Sequence, residues 1–337
     1  MAVFRSKRNR TGDDFFRKGE AHDAAPKTRW GGRDADERGT QGMRTEDASA
    51  RYVDLDAWAG LDILQALWEG QLAAVAAVGP ALPAIDAAAR AAEPGLREGG
   101  RLVYVGAGTS ARIGVQDGAE LPPTFDWPEA QLGFAIAGGE GALLRAVEDA
   151  EDSAADGASW IVRAEIGPRD VVVGLAASGS TPFTVEALKA ARILGAVTVG
   201  VSNNPEAPIL REAAHGILAA TGAEVLAGST RMKAGTAQKV ILNLFSTLVM
   251  IRLGRVYRGR MVAMRATNRK LRARGVAMVS ELAGCPAEVA ADALTRADGD
   301  IKRAVLLAGG MSAMRADDLL LRHDGNLRRA LREVGRS

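Results

Sequence analysis

Short apolar runs alternate with amphipathic segments through the middle of the chain. Five runs of four to seven residues, rich in Val, Ile and Leu, have the length and composition of buried strands. The predicted strands are 101–105, 132–137, 170–176, 196–201 and 215–218, and the helices predicted between them are 110–118, 139–150, 182–194 and 208–214. This alternation predicts an α/β fold in which helices cover both faces of a parallel sheet.

Helical patterns flank this alternation on both sides. Before it, Leu61, Leu64, Leu67 and Leu72 recur at roughly helical spacing, and an Ala-rich stretch follows at 84–92. After residue 231 one long helix is predicted from apolar positions on a single face, namely Ala237, Val240, Ile241, Leu244, Leu248 and Ile251. From residue 286 onward the pattern predicts four short helices, 286–296, 301–308, 313–322 and 327–334, with Asp300 and Ser312 as N-caps.

The first 42 residues differ from the rest of the chain. They contain no Leu and no Ile, and about 40% of them are charged. Such a segment cannot bury enough apolar surface to offset its chain entropy. The sequence therefore predicts a disordered tail at 1–42, a sheet-containing domain at 43–283 and a small helical module at 284–337.

Composition narrows the functional classes. Of 337 residues, 47% are hydrophobic and 25% are charged, which is typical of a globular protein. The net charge of +2 gives no overall attraction to nucleic acid or to an anionic membrane. The single cysteine, Cys285, excludes an internal disulfide. With no apolar run of membrane-spanning length and no signal-peptide pattern, we expect a soluble cytoplasmic protein.

Three turns rich in glycine and hydroxyl residues each precede a helix, at 106–110, 177–182 and 228–233. Free N–H groups and the helix dipole favour an anion at such a position, and Ser and Thr add donors. The three turns together predict a pocket for a phosphate monoester. The candidate binding residues are Gly108, Thr109, Ser110, Ser178, Ser180, Thr181, Ser229 and Lys233.

Other uses of these turns fit less well. Residues 106–111 match a loose dinucleotide fingerprint, but no acidic residue ends a second strand about 20 residues later. The three histidines lie far apart in sequence and in no metal motif. Carboxylates remain as candidates for acid–base chemistry. They are Glu120, held by the two prolines that follow Leu121, and Glu148, Glu151 and Asp152 after the second strand.

Taken together, five motifs resemble the N-acetylmuramic acid 6-phosphate etherase family. They are LVYVGAGTSAR (102–112), AELPPTF (119–125), AVEDAEDS (146–153), GLAASGSTP (174–182) and GAEVLAGSTRMKAGTAQK (222–239). This family belongs to the sugar isomerase (SIS) domain proteins, which include the glucokinase regulatory protein. The resemblance implies a SIS-type sheet, and a small C-terminal helical module that resembles a ubiquitin-associated domain.

The resemblance also implies a function. The family converts N-acetylmuramate 6-phosphate and water into N-acetylglucosamine 6-phosphate and D-lactate, a lyase-type reaction of peptidoglycan sugar recycling. Its catalytic glutamates correspond to Glu120 and Glu151, and its sugar-phosphate contacts to Thr109, Ser110, Ser178, Ser180 and Thr181. It uses no metal or cofactor and forms homodimers. The ether cleavage needs one carboxyl as acid and one as base, so we expect the two glutamates to face each other across the substrate.

The sequence departs from the family pattern in three places. The Arg-Asn-Pro near the start of the domain is absent after Thr45 and Glu46, the usual Asn and Asp near Tyr257 are Gly259 and Ala263, and the Cys after the catalytic Glu is Leu121. The first two departures remove polar groups that can contact the sugar or order a dimer. Three alternatives therefore remain open: a SIS-fold aldose–ketose isomerase, a sugar-phosphate sensor without catalysis, and a nicotinamide-dependent oxidoreductase.

Overall fold

The computed structural model describes residues 45–145, 147–264 and 269–335. The predicted tail at 1–42 lies outside the described residues. Five parallel strands form the central sheet: β1 (Leu102–Gly106), β2 (Leu132–Ile136), β3 (Val171–Leu175), β4 (Val197–Ser202) and β5 (His215–Leu218). Their order is β2-β1-β3-β4-β5, and all five correspond to predicted strands.

Helices cover both faces of this sheet, as predicted. In chain order the helices of this part are α1 (Gly60–Ala76), α2 (Leu82–Arg97), α3 (Gly108–Ala119), α4 (Leu121–Phe125), α5 (Ala154–Arg163), α6 (Pro182–Ile193), α7 (Pro208–Glu212) and α8 (Lys233–Arg252). Alternate strand residues enter two cores because side chains in a strand point to opposite faces. Tyr104 joins a core with α2 and α8, whereas Val103 and Val105 join one with α5, α6 and α7.

One predicted helix is absent from the described residues, and a helix that was not predicted follows it. The described residues of 139–150, which are all but residue 146, form no α-helix; they contain the short 3-10 turn Glu140–Leu143 and the beginning of a second turn, Ala150–Asp152. Gly138, Gly139 and Asp149 have φ of 80°, 75° and 61°, which interrupt a right-handed helix. The helix of this region is α5, which begins at Ala154 with Ser153 as its N-cap and was not predicted.

The long helix α8 was predicted, but its apolar stripe is only partly buried. Ile241 is fully buried, whereas Leu244 is 40% exposed and Ile251 is 46% exposed. On α1, Leu61, Leu64 and Leu72 are likewise exposed, together with Trp68. These two helices pack against each other, and their exposed apolar side chains lie outside the core.

A second core, mostly helical, begins at the short hairpin of β6 (Val256–Tyr257) and β7 (Arg260–Met261), from which it includes Tyr257. It is built by α9 (Arg269–Ala283), α10 (Ala287–Arg296), α11 (Ile301–Ala308), α12 (Ala313–Arg322) and α13 (Leu327–Glu333). The side chains of Asp300 and Ser312 accept the N–H groups of Arg303 and Arg315, which confirms both as N-caps. The domain boundary at 283/284 stays a prediction, and this core also takes in Met278 and Val279 before it.

Two helical stretches, Gly60–Arg97 and Lys233–Arg252, have the length and composition of a membrane span. Core helices of globular proteins meet the same criterion, so the observation is weak evidence for a membrane. The first stretch is interrupted by the 3-10 turn Gly79–Ala81, and 56% of the apolar window in the second is buried.

Candidate functional site

Strand register brings the first two glycine-rich turns side by side at the carboxyl edge of the sheet. Gly106, the last residue of β1, pairs with Leu175, the last residue of β3. The turns that follow enclose a cleft of about 360 Å³. Its lining residues are Glu46, Ala107, Gly108, Thr109, Ser110, Glu151, Leu175, Ala176, Ala177, Ser178, Thr181, Gly228 and Thr230. In open parallel sheets this edge is where ligands bind.

The N-terminal ends of two helices lie at this cleft. Helix α3 begins at Gly108, and α6 begins at Pro182 directly after Thr181, whose side chain makes no capping hydrogen bond. The Ser178 hydroxyl accepts hydrogen bonds from the backbone N–H (3.3 Å) and the hydroxyl (3.2 Å) of Ser180. Ser180 thus orients Ser178 but does not itself line the cleft. Free N–H groups and hydroxyl donors suit a phosphate.

Glycine is required at the centre of the second turn. Gly179 has φ of +70°, and a Cβ at this position would lie 2.4 Å from the Cβ of Ala207 and 2.5 Å from the Oγ of Ser202. Any side chain here would push the turn away from β4. The conformation of the Ser178–Thr181 turn therefore depends on this residue.

The third turn contributes other residues to the cleft than the predicted Ser229 and Lys233. The buried carboxylate of Glu224 accepts the N–H groups of Lys233 and Ala234, both at 2.9 Å, and so occupies the N-terminus of α8. The Lys233 ammonium donates to the carbonyl of Ala223 at 2.8 Å, and burial lowers the pKa of Lys233. Neither Lys233 nor Ser229 is among the cleft residues; Gly228 and Thr230 represent this turn instead.

Only one of the two predicted catalytic glutamates lies at the cleft. Glu151, on the turn Ala150–Asp152, lines both this cleft and an adjoining one of about 340 Å³ that also contains Arg112 and Glu148. Glu120 is exposed and, among the described residues, lines neither cleft. It follows α3, whose 12 residues rise about 18 Å from Gly108. Within the described chain the two glutamates therefore do not share a cleft.

A buried polar cluster secures the end of α3 that leads to Glu120. Asp117 is 2% exposed and accepts hydrogen bonds from Tyr104 (2.8 Å), Asn243 (3.0 Å) and Ser246 (3.3 Å). Burial raises the pKa of Asp117, opposed by these hydrogen bonds and by the positive charge of Lys239. The cluster ties α3 to β1 and α8. No sequence pattern indicated it, because an aspartate in a helix is usually exposed.

Sequence reasoning also missed Glu46 and Thr230 as cleft residues. Thr230 lies inside a turn that was recognised, and its hydroxyl was an available signal. Glu46 stands 60 residues or more before the other lining residues, so no local pattern connects it with them. In the part of the chain that the structure describes, no group of three or more His, Cys, Asp or Glu side chains is placed to hold a metal ion.

Relatives match this chain over most of its length. It is 48% identical to N-acetylmuramic acid 6-phosphate etherase from Deinococcus radiodurans over 278 residues, which cover 82% of this chain and 91% of that protein. It is 45% identical to the enzyme of the same name from Salmonella agona, over 78% of this chain and 89% of that protein. The chain belongs to the N-acetylmuramic acid 6-phosphate etherase family. The family resemblance predicted from the motifs is thereby confirmed.

Domain comparisons place this etherase-family chain among SIS proteins. The glucokinase regulatory protein N-terminal SIS domain matches residues 85–192, and the SIS domain matches residues 156–248. These ranges contain β1 to β5 and both hydroxyl turns of the cleft. A putative phosphosugar isomerase from Bacteroides fragilis aligns with 58% of this chain and 91% of its own, at 21% identity and a TM-score of 0.46. The two SIS domain matches confirm the predicted SIS-type fold, whereas likeness of the helical module to a ubiquitin-associated domain stays a prediction.

Proposed function

We propose that this enzyme cleaves the D-lactyl ether of N-acetylmuramate 6-phosphate. The observation that carries the proposal is the cleft itself, in which Ser110, Ser178 and Thr181 stand at two helix N-termini and Glu151 stands at the same opening. The hydroxyl end suits the 6-phosphate and the glutamate end suits proton transfer. The products are N-acetylglucosamine 6-phosphate and D-lactate, which places the reaction in peptidoglycan sugar recycling.

The chemistry proceeds by elimination and hydration. In the open-chain sugar the C1 aldehyde acidifies the C2 proton, so a carboxylate base removes it and the C3–O bond breaks. The departing ether oxygen receives a proton from an acid, and a C2–C3 double bond forms. Water then adds to C3 and a proton returns to C2, so the sum is substrate plus water giving sugar and lactate. Because a carbon–oxygen bond breaks by elimination, the enzyme is a lyase.

The two acid–base roles are assigned from the family motifs and from the cleft. Glu151 is the partner that removes the C2 proton, exchanges it with solvent and then protonates C2, and its position at the cleft supports this assignment. Glu120 is the acid that protonates the departing lactate and then activates water, and this role rests on its AELPPTF motif. Each group contributes roughly a hundred- to ten-thousandfold to the rate.

Two further properties belong to the same proposal. A homodimer is supported by the exposed apolar side chains of α1, where Leu61 is 76% exposed and Trp68 is 58% exposed. A cytoplasmic location follows from the substrate, because sugar phosphates are produced inside the cell. The enzyme acts without metal or cofactor, since proton transfers alone balance the reaction.

Substitution of Glu120 tests the reaction and its assignment together. We expect the wild type to release D-lactate from N-acetylmuramate 6-phosphate, and Glu120→Ala to release none while still exchanging the C2 hydrogen with solvent deuterium. Glu129→Ala, an exposed glutamate away from both clefts, should retain full release. Full lactate release by Glu120→Ala would remove Glu120 from the mechanism, and no release by the wild type would reject the function.

A further inference from the structure

The cleft contains a second carboxylate, which the motifs do not assign. Glu46 lines the same opening as Glu151, Ser110 and Ser178, although it precedes the first strand by more than 50 residues. Its carboxylate oxygen Oε2 lies against Gly228, where an added Cβ would stand 3.1 Å from it. Gly228 has φ of +72° and no side chain, which leaves room for the carboxylate beside the third turn.

A buried clamp holds Glu46 in this place. The preceding residue, Thr45, is fully buried, and its N–H donates to the Asn204 side-chain oxygen at 2.9 Å. The Asn204 amide donates in return to the Thr45 hydroxyl at 3.2 Å. Asn204 is the second residue after β4, and its own N–H donates to Ser202 Oγ, on the last residue of that strand, at 3.0 Å. These hydrogen bonds therefore fix the segment that carries Glu46 at the carboxyl edge of the sheet, beside the cleft.

The charge of Glu46 determines which part of a ligand it can meet. An ionised carboxylate only accepts hydrogen bonds, and it repels a phosphate. The phosphate belongs with the helix N-termini and hydroxyls of Ser110, Ser178 and Thr181. What remains for Glu46 is the sugar, whose hydroxyl and amide N–H groups are donors.

We propose that Glu46 is a specificity-determining residue, which accepts a hydrogen bond from a hydroxyl or amide N–H of the amino sugar. The inference rests on the proposed function, because it takes the ligand to be a sugar phosphate. A hydrogen bond to a charged acceptor in a cleft contributes about ten- to a hundredfold in affinity. We expect this gain in affinity for a ligand that carries the sugar, and no gain for phosphate alone.

Calorimetric titration with two ligands tests this assignment. Wild type, Glu46→Ala, Glu46→Gln and Asp54→Asn are titrated with N-acetylglucosamine 6-phosphate and with inorganic phosphate. We expect Glu46→Ala to lose about ten- to a hundredfold in affinity for the sugar phosphate, and Glu46→Gln to lose less because its amide oxygen still accepts. Affinity for inorganic phosphate should stay within about twofold or increase, since a repelling charge is gone. Asp54→Asn alters an exposed acid of the same segment outside the cleft and should change neither affinity.

The outcomes separate this inference from the proposed function. An unchanged ratio of the two affinities overturns the role of Glu46; this includes an equal loss for both ligands, which is the result of a loosened segment. A wild type that binds inorganic phosphate but not the sugar phosphate rejects the proposed function and the inference with it. In turnover, Glu46→Ala should raise KM with little change in kcat, because a contact to the sugar is made equally in the ground and transition states.

Discussion

The cleft and the C-terminal helical core differ in the kinds of residue that form them and in how exposed those residues are. The cleft consists of small and hydroxyl residues on turns, and its acids Glu46 and Glu151 are exposed. The helical core consists of buried aliphatic residues such as Ile301 and Leu306, at 0% exposure, on helices with side-chain caps. Substitutions in the cleft should therefore change binding and catalysis at nearly constant stability, and substitutions in the helical core should do the reverse.

Among the residues of the cleft, the largest effect is expected at Glu151. Glu151→Gln removes a base but no packing, so kcat should fall about a hundred- to ten-thousandfold while the melting temperature is unchanged. Lactate release and thermal unfolding measure the two quantities. Asp152→Asn is the matched control, because the neighbouring acid lines neither cleft. If Glu151→Gln lost as much free energy of unfolding as it gained in activation free energy, the contrast between the two regions would be contradicted.

Ile301 offers the converse substitution in the helical core. Ile301→Ala leaves a cavity beside the start of α11 and should lower the free energy of unfolding by about 2–4 kcal/mol. Sugar-phosphate affinity at a temperature where the variant is folded should match the wild type. Met314 is 83% exposed on the outer surface of the same core. Met314→Ala should therefore change the free energy of unfolding by less than about 0.5 kcal/mol. Denaturant titration checks both variants.

Lys302 makes the stability of the helical core depend on pH. Burial lowers the pKa of Lys302 to about 8, helped by the positive charge of Arg255. Between pH 8 and the usual value of 10.5 the unfolded chain binds more protons than the folded chain, so stability rises with pH across this window. The gain is at most about 3 kcal/mol. Lys302→Met should lose most of this rise, the rest coming from groups such as Lys233 whose pKa is also lowered by burial, and exposed Lys270→Met should retain all of it. Denaturant titrations at pH 7.5 and pH 10 measure the difference.

The smallest effect is expected at the hydroxyls of the first two glycine-rich turns. Ser110→Ala and Ser178→Ala each remove one hydrogen-bond donor and should weaken binding of inorganic phosphate about two- to tenfold. The melting temperature should stay constant, as for Glu151→Gln. Ser159→Ala, an exposed serine on α5, should alter neither quantity. Calorimetric titration measures the affinities, and equal affinity in all three variants would contradict a phosphate at this end of the cleft.

Local patterns predicted the sheet and most of the cleft. The strands are contiguous apolar runs, and Ser110, Ser178 and Thr181 stand in turns directly after strand ends, so their meeting follows from the parallel order. The helix expected at 139–150 was wrong because residues with positive φ interrupt it, although the glycines at 138 and 139 were visible. Lys233 was placed in the correct turn, but the direction of its side chain depends on Ala223.

Contacts between distant parts of the chain were beyond prediction. Glu46 reaches the cleft through a clamp between Thr45 and Asn204, which are 159 residues apart. Asp117 is buried by partners on β1 and α8, and no pattern within α3 indicates this. Glu120 and Glu151 were expected in one cleft from their shared family role, and the length of α3 separates Glu120 from that cleft within the described chain.

Incubation with N-acetylmuramate 6-phosphate in deuterium oxide is the most direct test of the central claim, that this cleft cleaves the lactyl ether by removing the C2 proton. We expect the wild type to form equal amounts of D-lactate and N-acetylglucosamine 6-phosphate, with one deuterium at C2 of the sugar. Glu151→Gln should form both products far more slowly. Lactate release without deuterium at C2 would contradict elimination, and the absence of lactate would contradict the function.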